Sequence, residues 1–169
     1  MKSIWFISDT HFRHANILKF MEDDGTPIRP GFQSVEEMDA QMVDNWNRVV
    51  KHGDHVWHLG DFAFGGRDFS LVNRLNGRKR LCVGNHDHVK EIAPFFQKVV
   101  LWRIFKEFNF TCTHVPLRLD QLRKTAFNVH GHIHQNLMDD PHYINVCVEH
   151  TNYTPVHLDE ILAKIRAVG

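Results

Sequence analysis

Cysteine is scarce in this chain: Cys82, Cys112 and Cys147 are the only three in 169 residues, and none forms a Cys-x-x-Cys pair. An odd count in apolar, strand-like settings excludes a disulfide framework and a thiolate metal site, and reduced, buried thiols point to the cytoplasm. Long hydrophobic runs are absent too. No stretch approaches the ~20 apolar residues that a membrane span needs, and the N-terminal run Ile4-Trp5-Phe6-Ile7 stops at Asp9, too short for the apolar region of a secretory leader. No charge of one sign is in excess. Lys plus Arg and Asp plus Glu each number 20, which weighs against a protein built to grip duplex phosphates, so stable nucleic-acid binding is not expected.

What the chain has in quantity is histidine, 14 in all, more than packing requires. With 43% hydrophobic and 24% charged residues it has an ordinary globular composition, and its length fits one domain, residues 1–169, with a core of its own.

The apolar run from Lys2 to Ser8 suits a central strand buried on both faces. A short helical pattern covers Ala15 to Met21, and Glu22 to Gln33, with two Pro and two Gly, reads as a loop. Ser34-Val35-Glu36-Glu37 is a capping box ahead of Val35, Met38, Met42, Trp46 and Val49, which repeat at helical spacing. Further strands are expected at His55 to Leu59 and Arg80 to Val83, with helical stretches at Asp68 to Leu75 and Val89 to Phe96. Val99 to Phe108, Asn109 to Cys112, Thr125 to Val129 and Tyr143 to Val148 complete the strands, and Leu158 to Ile165 closes the chain as an amphipathic helix. Alternation of strand and helix followed by a strand-rich half implies an α/β fold with mixed sheets.

Metal-binding side chains gather where these strands should end: Asp9-Thr10-His11, Gly60-Asp61, Gly84-Asn85-His86-Asp87, His114 and Gly131-His132-Ile133-His134. In open α/β sheets ligands bind beyond the carboxyl ends of strands, so these blocks converge on one edge. Carboxylate oxygens and imidazole nitrogens without thiolate suit manganese, iron, zinc or nickel, and the ligand set does not choose among them.

In order, residue type and spread, these five blocks resemble the signature of the calcineurin-like metallophosphoesterase superfamily. The opening Ser8-Asp9-Thr10-His11-Phe12 followed by His14, Asn16 and Ile17 is similar to a compact branch found in bacteria and phages. The resemblance implies a four-layer α/β/β/α sandwich of two mixed sheets flanked by helices, holding two divalent ions. One ion is expected on Asp9, His11, Asp61 and His134, the other on Asp61, Asn85, His114 and His132, with Asp61 bridging. Two cations on a shared carboxylate grip one phosphate and activate water at neutral pH. His86 is then the general acid that protonates the leaving oxygen, with Asp87 bonded to its far ring nitrogen. Asn85, Arg13 and His14 are expected to meet the substrate.

The implied activity is hydrolysis of a small phosphomonoester or phosphodiester. A nuclease of short nucleic acids and a non-catalytic scaffold are the alternatives, disfavoured because no capping domain fits in the length and no ligand is missing. Of the other histidines, His52, His55, His58, His88, His142, His150 and His157 are assigned to packing, caps or surface, with His58 and His150 nearest the site. His130 is expected to be a strand residue. Arg118, Arg123 and Lys124 read as surface, and Arg78-Lys79-Arg80 as a solvated strand edge.

Overall fold

Phe6 and Ile7 are neighbours on the first strand, and side chains alternate across a strand, so each enters a different core. The computed structural model describes residues 2–64 and 69–169. Strands β1 (Ile4–Ile7), β2 (His55–His58), β3 (Arg78–Cys82) and β4 (Lys98–Val100) run parallel. The short β9 (Val156–His157) joins β1 antiparallel, giving the order β4-β3-β2-β1-β9. The second sheet has the order β5-β6-β7-β8, from β5 (Trp102–Phe105), β6 (Phe110–Thr113), β7 (Phe127–His130) and β8 (Tyr143–Asn145). There β5 is antiparallel to β6 and the rest are parallel, so both sheets are mixed, as expected.

Ile7, Val56 and Leu81 face helix α1 (Val35–Val49), whose Met38, Met42 and Trp46 complete the first core. Ser34 caps this helix by accepting from the Glu37 N–H at 3.2 Å, and the Glu37 carboxylate accepts from the Gln33 N–H at 2.8 Å. Phe6, Trp57 and Cys82 point the other way, onto Phe110, Cys112, Val129 and Ile144 of the second sheet. Helix α3 (Leu158–Val168) adds Ile161 to this inter-sheet core, and α2 (Val89–Ile92) lends Ile92 to the first. All three cysteines are free and buried, and burial pushes the Cys82 thiol up to about 12. Among the described residues, no helix is long and apolar enough to cross a membrane.

Several expectations shift at their edges. The apolar run from Val99 to Phe108 is not one strand: it breaks at Leu101, and β4 and β5 join different sheets. Ala15–Lys19 and Ser70–Arg74 are 3-10 turns, and the expected helix start at Asp68 lies outside the described residues. Arg78-Lys79-Arg80 forms the start of interior strand β3 rather than an edge: Arg80 donates to His55 Nδ1 at 2.7 Å and Lys79 Nζ to the Leu75 carbonyl at 2.6 Å.

His58 is wholly buried at the exit of β2. The Thr10 hydroxyl donates to the Phe62 carbonyl at 2.7 Å, so the 3.0 Å contact between Thr10 Oγ1 and His58 Nε2 is donated by the imidazole. Its Nδ1 is then a bare lone pair, buried without a partner. Protonation would put a charged N–H there with no acceptor, and burial lowers the His58 pKa to about 3. As pH falls from about 6.5 towards 3 the unfolded chain takes up a proton that the folded chain refuses, so stability drops by about 1.4 kcal/mol per pH unit on this account. Denaturant melts across that window should show His58→Gln losing less stability on acidification than the wild type; parallel curves would remove His58 as the cause.

Candidate metal centre

At the carboxyl ends of the strands the two sheets are stitched together. Ser8 N donates to the Val146 carbonyl at 3.0 Å and Val148 N returns to the Ser8 carbonyl at 3.2 Å, joining the exit of β1 to that of β8. Asp9 N donates to the Gly60 carbonyl and His11 N to the Asp61 carbonyl, both at 3.0 Å, which ties the β1 loop to the β2 loop. Every block singled out in the sequence lies in this region. Asp9, His11, Asp61, His132 and His134 all have positive φ, between 46° and 72°. Left-handed backbone costs a non-glycine residue about 1–3 kcal/mol, and its concentration at ligand positions marks a functional site. Close approach also fixes the glycines. A Cβ on Gly131 would overlap Ser8 Oγ and Asp9 Oδ2, and one on Gly84 would overlap the Asp61 carboxylate.

Two clusters of donors result. Asp9, His11 and His134 form one, and Asp61, His114 and His132 the other, with the ligand atoms of each group within 4.8 Å of one another. Asp61 Oδ2 lies between them, 3.6 Å from His11 Nε2 and 3.4 Å from His114 Nε2, while its Oδ1 accepts from the His86 N–H at 2.9 Å. Asn85 Oδ1 approaches His114 Nε2 at 2.9 Å, which adds it to the second cluster. Asp9 Oδ2 accepts from Ser8 Oγ at 2.6 Å, from the His132 N–H at 2.8 Å and from Cys147 Sγ at 3.2 Å. Its Oδ1 and the facing His11 Nε2, 3.8 Å apart, are buried without any partner. Bare acceptors are costly inside a protein, and a cation between them removes the cost. The residues present therefore fit a pair of divalent ions.

Electrostatics agree. Burial alone would raise Asp9, but the neighbouring imidazoles of His11, His114 and His134 hold it far below the carboxylate range. Asp61 is lowered in the same way, mainly by His114 against burial. His114 and His134 are raised despite burial, because the Asp61 carboxylate stands beside the first and Glu149 is bonded to the second. The site is built for positive charge. The far ring nitrogens are also held: His114 Nδ1 donates to the Leu59 carbonyl at 2.8 Å and His134 Nδ1 to Glu149 Oε1 at 3.0 Å, which leaves each Nε2 as the lone pair that a metal takes. His11 Nδ1 meets His14 Nδ1 at 3.3 Å, and burial lowers His14 to about 4, so His14 is a neutral partner for that ring.

Two expectations about individual residues need correction. Asp87 does not hold His86. Its Oδ2 accepts from the Asp61 N–H at 3.0 Å and the Gly84 N–H at 2.8 Å, and its Oδ1 from the Phe62 N–H at 3.0 Å, so it fastens the β2 and β3 loops around the centre. Three backbone donors outcompete one neighbouring imidazole for a carboxylate. Arg13 points away: it lines a cavity against α1 with Glu36 and Asp39, its N–H donates to the Asp39 carboxylate at 3.0 Å, and its Nη2 lies 3.5 Å from Ser70 Oγ. His14 does line the cavity beside His11, with His86 and His134.

Arg29 and Glu149 were not among the expected site residues. Arg29 is fully buried; its Nε donates to Glu149 Oε1 at 2.8 Å, its Nη1 to the Thr10 carbonyl at 3.0 Å and its Nη2 to the Asp9 carbonyl. One guanidinium thus fixes the Asp9–Thr10 backbone and the carboxylate that orients His134. A signal for it existed only in hindsight, as the single arginine in the 22–33 loop. Removing such an outer partner weakens metal binding about 10–100-fold. Glu149→Ala should therefore lower cation affinity at the Asp9–His11–His134 cluster more than at the other, as read by titration calorimetry, with Glu149→Gln losing less. Equal loss at both clusters would reduce Glu149 to a general packing role.

Comparison with known proteins gives the family. The chain is 35% identical to the uncharacterized protein MJ1445 of Methanocaldococcus jannaschii, an alignment covering 98% of this chain and 92% of the other. It is 34% identical to the Gene 66 proteins of Mycobacterium phages L5 and D29, of which it spans 56% and 58%. The crystal structure of AQ665 from Aquifex aeolicus, a protein of unknown function, superposes with a TM-score of 0.77 at 27% identity, covering 95% of this chain and 98% of that one. The family model for calcineurin-like phosphoesterases matches residues 2–165, and with the donor clusters in place, this chain belongs to the calcineurin-like phosphoesterase family.

Proposed function

We propose that this protein is a binuclear, metal-dependent hydrolase of a small phosphate ester, with manganese the first candidate ion. The observation that carries the reading is the position of Asp61 Oδ2, within 3.6 Å of a histidine nitrogen from each donor cluster, beside the two orphaned acceptors of Asp9 and His11. Asp9, His11, Asp61 and His134 would hold one ion, and Asp61, Asn85, His114 and His132 the other. Such a pair, when bound, neutralises phosphate charge and makes water a nucleophile at neutral pH.

The protein's own part is positioning and one proton. His86 is exposed on the loop after β3, and its backbone N–H is tied to Asp61 Oδ1 at 2.9 Å, so its ring stands next to the bridging carboxylate. Its ring centroid lies 5.8 Å from that of His11, on the open side of the centre. From there it would protonate the departing oxygen. Asn85, one residue earlier, would add an amide to the phosphate as well as an oxygen to the metal.

Asp61→Asn should lose most of both ions, since it removes the shared charge; two ions per chain measured in that variant would sink the bridging role. Chelation should lower the melting temperature, because Asp9 and Asp61 then face each other and the imidazoles lose their partners. An unchanged midpoint after exhaustive metal removal would place the ions elsewhere. His86→Ala should keep both metals while turnover falls by roughly 10²–10⁴-fold. That deficit should shrink along a series of esters with increasingly acidic leaving groups, and a constant deficit would assign His86 to phosphate binding instead.

A further inference from the structure

Two of the thirteen phenylalanines are exposed, Phe20 at 47% and Phe64 at 37%. Both line one cavity of about 440 Å³, which His11, His86 and His134 also border. Rings left in water at one site, beside charged ligands, need a reason beyond packing. Their arrangement gives one. Phe64 stacks on His14 with centroids 4.0 Å apart and planes at 24°, and stands edge-on to His86 at 5.2 Å. Phe20 meets His14 from the side, at 5.7 Å and 86°. The three rings form an aromatic corner next to His86.

A second cavity, of about 480 Å³, opens on the other flank of the centre. It shares His134 with the first, is bordered by His132, Ile28, Leu137 and Met138, and does not reach His86. His134 therefore stands between two cavities, with His11 on one and His132 on the other, and a phosphate at the centre has room for an ester arm on each side. Only one side offers a proton to a departing oxygen. That side is the aromatic one.

We propose that the substrate is a phosphodiester whose leaving arm carries a planar aromatic group, held against Phe64 and Phe20 in the cavity that His86 borders. This rests on the phosphoesterase reading above and names its substrate class. In the reaction the oxygen of water forms the new bond to phosphorus, and the bond from phosphorus to the aromatic arm's oxygen breaks. That oxygen takes its proton from His86, which is reprotonated from the water's remaining proton through solvent. The second arm stays on the phosphomonoester product in the Leu137 and Met138 cavity.

The experiment compares a methyl aryl phosphate with a methyl fluoroalkyl phosphate of matched leaving-group acidity, and with the aryl monoester, on the metal-loaded protein. The wild type should prefer the aryl diester to both. Phe64→Ala and Phe20→Ala should each reduce the aryl over fluoroalkyl ratio of kcat/KM, roughly tenfold for Phe64, whereas Phe64→Tyr should keep it. Binding of uncleavable benzylphosphonate and ethylphosphonate monomethyl esters, followed by calorimetry, should show the same loss of aromatic preference without turnover. An active wild type with no aryl preference, a preference unchanged in both alanine variants, or faster cleavage of the monoester would overturn the proposal. If no ester is cleaved with any metal, the phosphoesterase reading fails instead, and the phosphonate series still decides whether the aromatic corner binds.

Discussion

One carboxylate oxygen of Asp9 is saturated by Ser8, His132 and Cys147, and the other is bare. The three donors come from β1's own exit, from the loop after β7 and from the loop after β8, so a single buried side chain draws both sheets to one point. Burying a charge this completely is affordable only if it is bonded on one side and offered a cation on the other. The rest follows from holding it there. Gly131 cannot carry a side chain because Asp9 and Ser8 occupy its space, the backbone turns left-handed at Asp9 itself, and Arg29 is spent on the carbonyls of Asp9 and Thr10.

Much of this was legible beforehand, for a physical reason. Ligands at strand exits are short blocks of unusual composition after apolar runs, so the chemistry and the fold announce each other in the same few residues. Asp9, His11, Asp61, Asn85, His114, His132 and His134 all arrive where those blocks placed them. The two cores were legible in the same way, through the alternation of Phe6 with Ile7 and the helical spacing of Met38, Met42 and Trp46.

What escaped the sequence is what depends on long-range geometry. The Glu22 to Gln33 loop shows by its Pro and Gly that the chain turns, and nothing in it says that Arg29 is swallowed by the core. Glu149 follows an apolar strand and carries no motif. Asp87 sits beside His86 in sequence, which invited a pairing, yet three backbone donors from two loops claim it. The break at Leu101 was invisible because the runs on either side feed cores of equal apolarity. Phe64, close behind the Gly60-Asp61 block, had the composition of a core residue and is half-open to solvent instead.

The pairing of Arg29 with Glu149 spans 120 positions. Contacts that close so long a loop are entropically expensive until most of the fold is in place, so they are late events. On a ribosome the centre cannot be finished before the loop after β8 is made: Asp9, His11 and Arg29 emerge early, and their partners Cys147 and Glu149 lie near the other end. The Arg29–Glu149 pair and the Cys147 contact to Asp9 can therefore form only once the chain has been made past Glu149.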